Sequence, residues 1–255
     1  MRYDLPAMAD RAKPRRKRRR VKLRGAPLQF ERQLYQIFRR VVTFWQGRIK
    51  DLEPPYRVAD AMPTPEQVMS EQEEANRLLL VLIGQIQEWA QESGKWVRSL
   101  WVGRVKYEFG VDIDLLAENQ ANHEQLRAAI EWASALVRDL SDATRNKLAG
   151  SLAQSIASGV SPEEVARAVR DVIKSSDTRA RLIARDQTQK IFSKLAELQA
   201  REAGSDEYVW NHSFQPNPRR HHVERQGNTY RWDRPPRDGH PGTAVNCRCS
   251  ASPVV

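Results

Sequence analysis

Residues 176–210 read SDTRARLIARDQTQKIFSKLAELQAREAGSDEYVW, and the architecture turns on this stretch. Ser176-Asp177 offers a helix start. Leu182, Ile183, Ile191, Phe192, Leu195 and Leu198 then recur at helical spacings, and Gly204 supplies a stop. Immediately afterwards Tyr208-Val209-Trp210 has the aromatic and β-branched character of a strand. The spacing predicts a long helix over about 176–203 and a different kind of structure beyond it.

Upstream the pattern is helical. Phe30, Leu34, Ile37, Phe38, Val41, Val42 and Trp45 form one apolar stripe. Thr64-Pro65-Glu66-Gln67 and Ser161-Pro162-Glu163-Glu164 are capping boxes that open helices. Leu79, Leu82, Ile83, Ile86, Trp89 and Ala90 line the helix after the first box, and Gly94 is expected to break it before another begins at Trp96. Further helices are expected at about 119–139, 141–158 and 161–174, with Trp89, Trp96 and Trp132 in the core. The four prolines Pro54, Pro55, Pro63 and Pro65 make 51–65 an extended connector. Downstream of Gly204 lie four of the five His and both Cys, with a second strand at Thr229-Tyr230-Arg231-Trp232 after a Gln226-Gly227-Asn228 turn. The expected fold is mainly α with a small C-terminal α+β lobe and a basic disordered N-terminal arm. It divides into a flexible arm over 1–26, a helical body over 27–175 and a C-terminal module over 176–255.

The 255 residues are 40% hydrophobic and 29% charged, enough for a core under a heavily charged surface. Two Cys exclude a disulfide framework. The longest apolar run, Leu78 to Ile83, is far short of the roughly 20 residues that span a bilayer, and no apolar leader is readable. A soluble intracellular protein, or one assembled inside a cell, with no membrane partner, is the expectation. Net charge is +10, and ten cations between Arg11 and Arg24, with no acid among them, account for all of it. Arg15, Arg16, Lys17, Arg18, Arg19, Arg20 and Lys22 are the candidate nucleic-acid contacts, reading phosphates without regard to sequence. The plainer alternative is a solvated tail or localisation signal. No aromatic is interleaved, so stacking on single strands is not expected.

His221, His222, His240, Cys247 and Cys249 form the other cluster. His222, His240, Cys247 and Cys249 are a nitrogen and sulfur set able to hold a structural zinc. Against zinc stands the reading of packing histidines and buried thiols in a reducing compartment. His221-His222 with Asn246 superficially matches the metal-dependent nucleases of the HNH type, but too little chain follows Cys249 for their closing helix. No serine nucleophile motif, glycine-rich phosphate loop or His-Glu-x-x-His is present, so no catalytic residue is assigned and an enzyme is not expected.

With these motifs in order, the C-terminal third resembles the phage head morphogenesis family typified by the Mu F protein, the minor head proteins. Arg181-Leu182-Ile183-Ala184-Arg185-Asp186-Gln187-Thr188 is similar to that family's Ile-Ala-Arg helix. Arg219, His222 and Gly227 match its Arg-x-x-His element, and Trp232-Asp233 and Asn246-Cys247-Arg248-Cys249 match its closing motifs. The acid that usually precedes the Arg-x-x-His element is replaced here by Gln215–Pro218. The resemblance covers about 176–250. It implies a virion protein of the capsid interior, partnered by portal, capsid or scaffold proteins and by DNA. It also implies a motif framework of Arg219, His222, Gly227, Trp232, Asp233 and Asn246. A stand-alone DNA-binding protein or an HNH-like nuclease is the alternative.

Overall fold

The computed structural model describes residues 3–12, 19–23, 25–49, 64–114, 116 and 120–255. Among them run α1 (Leu5–Ala12), α2 (Leu28–Gly47), α3 (Pro65–Ser70), α4 (Gln72–Phe109), α5 (Gln120–Ser158), α6 (Pro162–Glu202), β1 (Glu207–Asn211), α7 (Arg220–Glu224), β2 (Thr229–Arg231) and β3 (Ser250–Val254). The fold is mainly α with a small antiparallel sheet of order β2-β1-β3, as the sequence predicts. Among the described residues no helix is long and apolar enough to cross a membrane. Most of the expected connector, 51–63, lies outside the described residues.

The chain forms two compact units, one from Arg32–Glu88 and Ile130–Ala184, the other from Met1–Glu31, Trp89–Ala129 and Arg185–Val255. This differs from the expected boundary at 175/176, because α6 runs unbroken through that point. Ser176-Asp177 is helix interior rather than a cap. The Ser176 hydroxyl lies 3.1 Å from that of Thr144, which itself donates to the Leu140 carbonyl at 2.7 Å. Hydroxyl residues favour caps because they compete for backbone groups, but inside a helix they bond backward or across to a neighbour. The same chemistry fuses the expected 119–139 and 141–158 helices into α5, where Ser141 accepts from the Trp45 indole at 3.1 Å.

Among the described residues, the elements of the first unit are all helical. The stripe Leu34, Ile37, Phe38, Val41, Val42 and Trp45 is buried throughout. Both capping boxes form: Thr64 with Gln67 at 3.2 and 2.7 Å, and Ser161 with Glu164 at 3.3 and 3.0 Å. Trp132 is a correction. It is 59% exposed, because Ala133, Val137 and Leu140 occupy the inner face of α5 and the preceding residue is turned about 100° away. Leu182, 45% exposed, leaves the core for the same reason, with Ala180 and Ala184 inside.

In the second unit α4 does not break at Gly94. A Cβ there would sit 2.9 Å from Leu126 Cδ1, so this glycine admits a neighbouring side chain rather than ending a helix. Helix α6 ends where expected. Gly204 takes φ +77°, its N–H meets Arg201 O at 3.2 Å, and Ser205 N–H meets Ala200 O at 3.0 Å, the paired bonds of a Schellman cap. The next two carbonyls of the chain, Glu202 and Ala203, accept from Tyr3 and Leu5 N–H at 3.0 Å each. The expected flexible arm is therefore corrected at both ends. Leu5 and Ala9 bury one face of α1, while residues 19–21 extend the sheet beyond β3 through Arg19 and Val255 (2.9 and 2.8 Å) and Val21 N–H to Pro253 O (2.9 Å). Val21 and Leu23 point inward and Arg20 and Lys22 outward, the alternation of a half-buried strand.

This docking predicts that Leu5→Ala lowers stability by about 2–4 kcal/mol in urea unfolding, the cost of emptying a fully buried leucine site. A free arm predicts a change within about 0.5 kcal/mol.

Candidate functional site

Helix α7 is a single short turn that places one histidine outside and one inside: His221 is exposed and His222 is 3% exposed. The His222 ring has a different partner at each nitrogen. Nδ1 lies 3.4 Å from Cys247 Sγ and 3.6 Å from Cys249 Sγ, both cysteines being buried. Nε2 lies 2.7 Å from Asp238 Oδ2. His221 Nε2 approaches the same oxygen at 3.1 Å, and Arg225 donates to Oδ1 at 2.6 Å. The Arg225 guanidinium also covers the Trp210 ring at 5.0 Å, and Trp210 meets the His222 ring edge to face at 5.1 Å.

The two cysteines are aimed by α6 and by the loop before β3. Asn246 reverses the chain at φ +56°, and its N–H donates to Asp186 Oδ1 at 2.7 Å. Gln189 donates to Cys249 O at 3.2 Å. At Gly242, φ +86°, a Cβ would fall 2.0 Å from Ser193 Oγ, so the loop lies on α6 too closely for any side chain. Arg219 donates to Val245 O at 2.8 Å, and Arg248 reaches both carboxylate oxygens of Glu31 at 2.9 and 2.7 Å.

Other motif residues support this arrangement from a distance. Gly227 takes φ +80° and donates to Trp210 O at 2.9 Å, closing the turn before β2. Trp232 is buried against Tyr208, and Asp233 accepts two bonds from Arg231 at 2.8 and 3.0 Å. His240 is a correction to the expected four-ligand set. Its Nδ1 meets Tyr208 Oη at 3.1 Å between the Tyr208 and Trp232 rings, while only His222, Cys247 and Cys249 of the four converge. Arg19 is corrected as well. Its guanidinium, 14% exposed, lies over Phe109 and donates to Ala9 O at 3.0 Å, so it is held by the body rather than offered to a ligand. Arg20 and Lys22 are exposed, and Arg15, Arg16, Lys17 and Arg18 lie outside the described residues.

Asp238, Arg225 and the inward faces of Asp186 and Gln189 were not marked by sequence spacing. The one signal for Asp238 is an acid placed beside glycine in a loop that returns toward the histidine pair. Burial opposes its ionisation, but hydrogen bonds from His222 and Arg225 outweigh that and hold the carboxyl well below its usual range. An ionised Asp238 accepts a hydrogen bond from the His222 Nε2–H, and in the tautomer so fixed the Nδ1 lone pair faces the sulfurs. Between the thiols, hydrogen bonding from Cys249, with help from backbone N–H groups, pulls Cys247 down, and the same donation together with burial pushes Cys249 up. Burial first of all lowers His240. His222, enclosed and engaged at both nitrogens, is not placed to activate an external water, which argues against a nuclease role for it.

A buried imidazole, two thiols and a supporting carboxylate, carried on a long helix and a three-stranded sheet, define the class of module. Residues 146–252 match the family described as Phage Mu protein F like protein, so this segment is similar to that family, as the motif resemblance implies. A Haemophilus influenzae protein described only as uncharacterized is 29% identical over 153 residues, which is 59% of this chain and 34% of that one. The chain thus spans about a third of the length of the curated relative it matches. No solved structure matches.

Two outcomes check the site. Ionised Asp238 contributes stability that is fully present above its unfolded pKa of about 3.9 and is lost as pH falls through the lower folded value. Below about pH 4 the wild type should therefore lose urea stability more steeply than Asp238→Asn. Gly242→Ala should cost about 2–4 kcal/mol, combining the left-handed backbone with the Ser193 overlap.

Proposed function

We propose that this protein is a minor head component that acts in phage head morphogenesis, docks on the portal or inner capsid surface and contacts packaged DNA through the cations between Arg11 and Arg24. The observation that carries the reading is the Mu F-like match over 146–252, because those residues include α6, His222, Asp238 and both cysteines, the groups that build the site. The cationic stretch supports the DNA contact. Packaged DNA presents phosphate at very high density, so individually weak, sequence-blind contacts become occupied. Arg20 and Lys22 are exposed on the outer face of their strand.

Mass spectrometry of gradient-purified particles from the phage encoding this chain tests the head assignment. Low-copy presence in both empty and DNA-filled particles is expected, whereas absence from both would overturn it. The DNA contact is tested separately by replacing Arg15, Arg16, Lys17, Arg18, Arg20 and Lys22 with Gln while keeping the inward Arg19. The slope of log affinity against log salt should flatten by up to about 5, at roughly 0.9 for each phosphate no longer neutralised. An unchanged slope would remove DNA from the partners.

A further inference from the structure

From the convergence of Cys247 Sγ, Cys249 Sγ and His222 Nδ1 we infer that the Mu F-like segment holds one zinc ion on these three side chains, with Asp238 as the carboxylate behind the histidine. The inference does not depend on the head-protein reading and would stand without it.

The geometry is the first argument. Sulfur about 2.3 Å and nitrogen about 2.0–2.1 Å from a tetrahedral zinc lie about 3.5 Å from each other. The His222 Nδ1 to sulfur distances are 3.4 and 3.6 Å, and all three donor atoms fall within 4.8 Å of one another. Two thiolates with one imidazole make a set that selects zinc over magnesium or calcium, which prefer oxygen.

The second argument lies behind the ligands. A histidine that binds metal through one nitrogen characteristically donates its other N–H to a carboxylate, which fixes ring and tautomer. His222 Nε2 sits 2.7 Å from Asp238 Oδ2, and Arg225 at 2.6 Å fixes Asp238 in turn. A pair of thiols buried merely as small apolar groups has no need of this chain. The third argument is enclosure. The three ligands are 2–4% exposed, and Trp210 walls the imidazole, so water competes poorly for the metal. His240 is not a ligand, being held by Tyr208.

The test uses the full chain purified without chelator. Elemental analysis should find about one zinc per chain, and replacement by cobalt should give the intense near-ultraviolet charge-transfer absorption of thiolate-bound Co(II). Cys247→Ser and Cys249→Ser should each lose that band. His240→Ala should keep both band and stoichiometry, and its loss of zinc would overturn the three-residue assignment. Because the cysteine variants are buried and can fail to fold, Asp238→Asn provides a folded comparison. Competition with a chelator should show its zinc affinity weakened roughly 10–100-fold. Folded wild-type protein with well under a tenth of a zinc per chain and no cobalt band would overturn the inference.

Discussion

His222 has one ring and must satisfy two surroundings that differ in chemistry. Nε2 faces the Asp238 carboxylate and Nδ1 faces the two thiols, so one imidazole ties together α7, the loop at 238 and the strand-forming segment after 245. None of these pieces is long enough to stand alone. Helix α7 spans only Arg220–Glu224, and the chain between β2 and β3 is turns. Small elements that bury little apolar area depend on specific polar contacts to fix their positions. The rest of the lobe is arranged accordingly. Trp210 packs on the ring, Arg225 covers Trp210 while holding Asp238, and α6 aims the cysteines through Asp186 and Gln189.

The Ile-Ala-Arg-Asp stretch of the long helix thus acquires a physical meaning. Asp186 commits its largely covered carboxylate to the backbone N–H of Asn246 and to Lys190, each at 2.7 Å. Removing either partner strands that carboxylate in a place water does not reach freely, which costs more than the bond itself contributes. Gly242 belongs to the same contact, since only a residue without a Cβ lets the loop lie against Ser193.

What the sequence disclosed follows the range of the responsible forces. The stripe from Phe30 to Trp45, the two capping boxes and the Gly204 stop are local, and each appears in the structure as read. Gly94 misled because its reason is Leu126, far away in sequence. Ser176 misled because its hydroxyl, which looks like a cap, lies inside a helix and is satisfied by Thr144. Strand β3 went unread since Pro253 and its serines suggest a tail. Pro253 fits because its carbonyl points to Val21, away from β1, so the missing N–H costs the central pairing nothing. At the site, the Cys-x-Cys pair and His222 were legible as ligand-type residues. Asp238 and the diversion of His240 to Tyr208 were not, because three-dimensional proximity sets both.

The cationic stretch shows why composition alone is a poor guide to mobility. Ten like charges suggest a chain that cannot fold on itself. Yet the apolar residues on either side of the densest run, Leu5 and Ala9 before it and Val21 and Leu23 after it, are buried in one core cluster. Burial of apolar side chains, and not the density of like charge, therefore decides where the described residues on either side of that run pack.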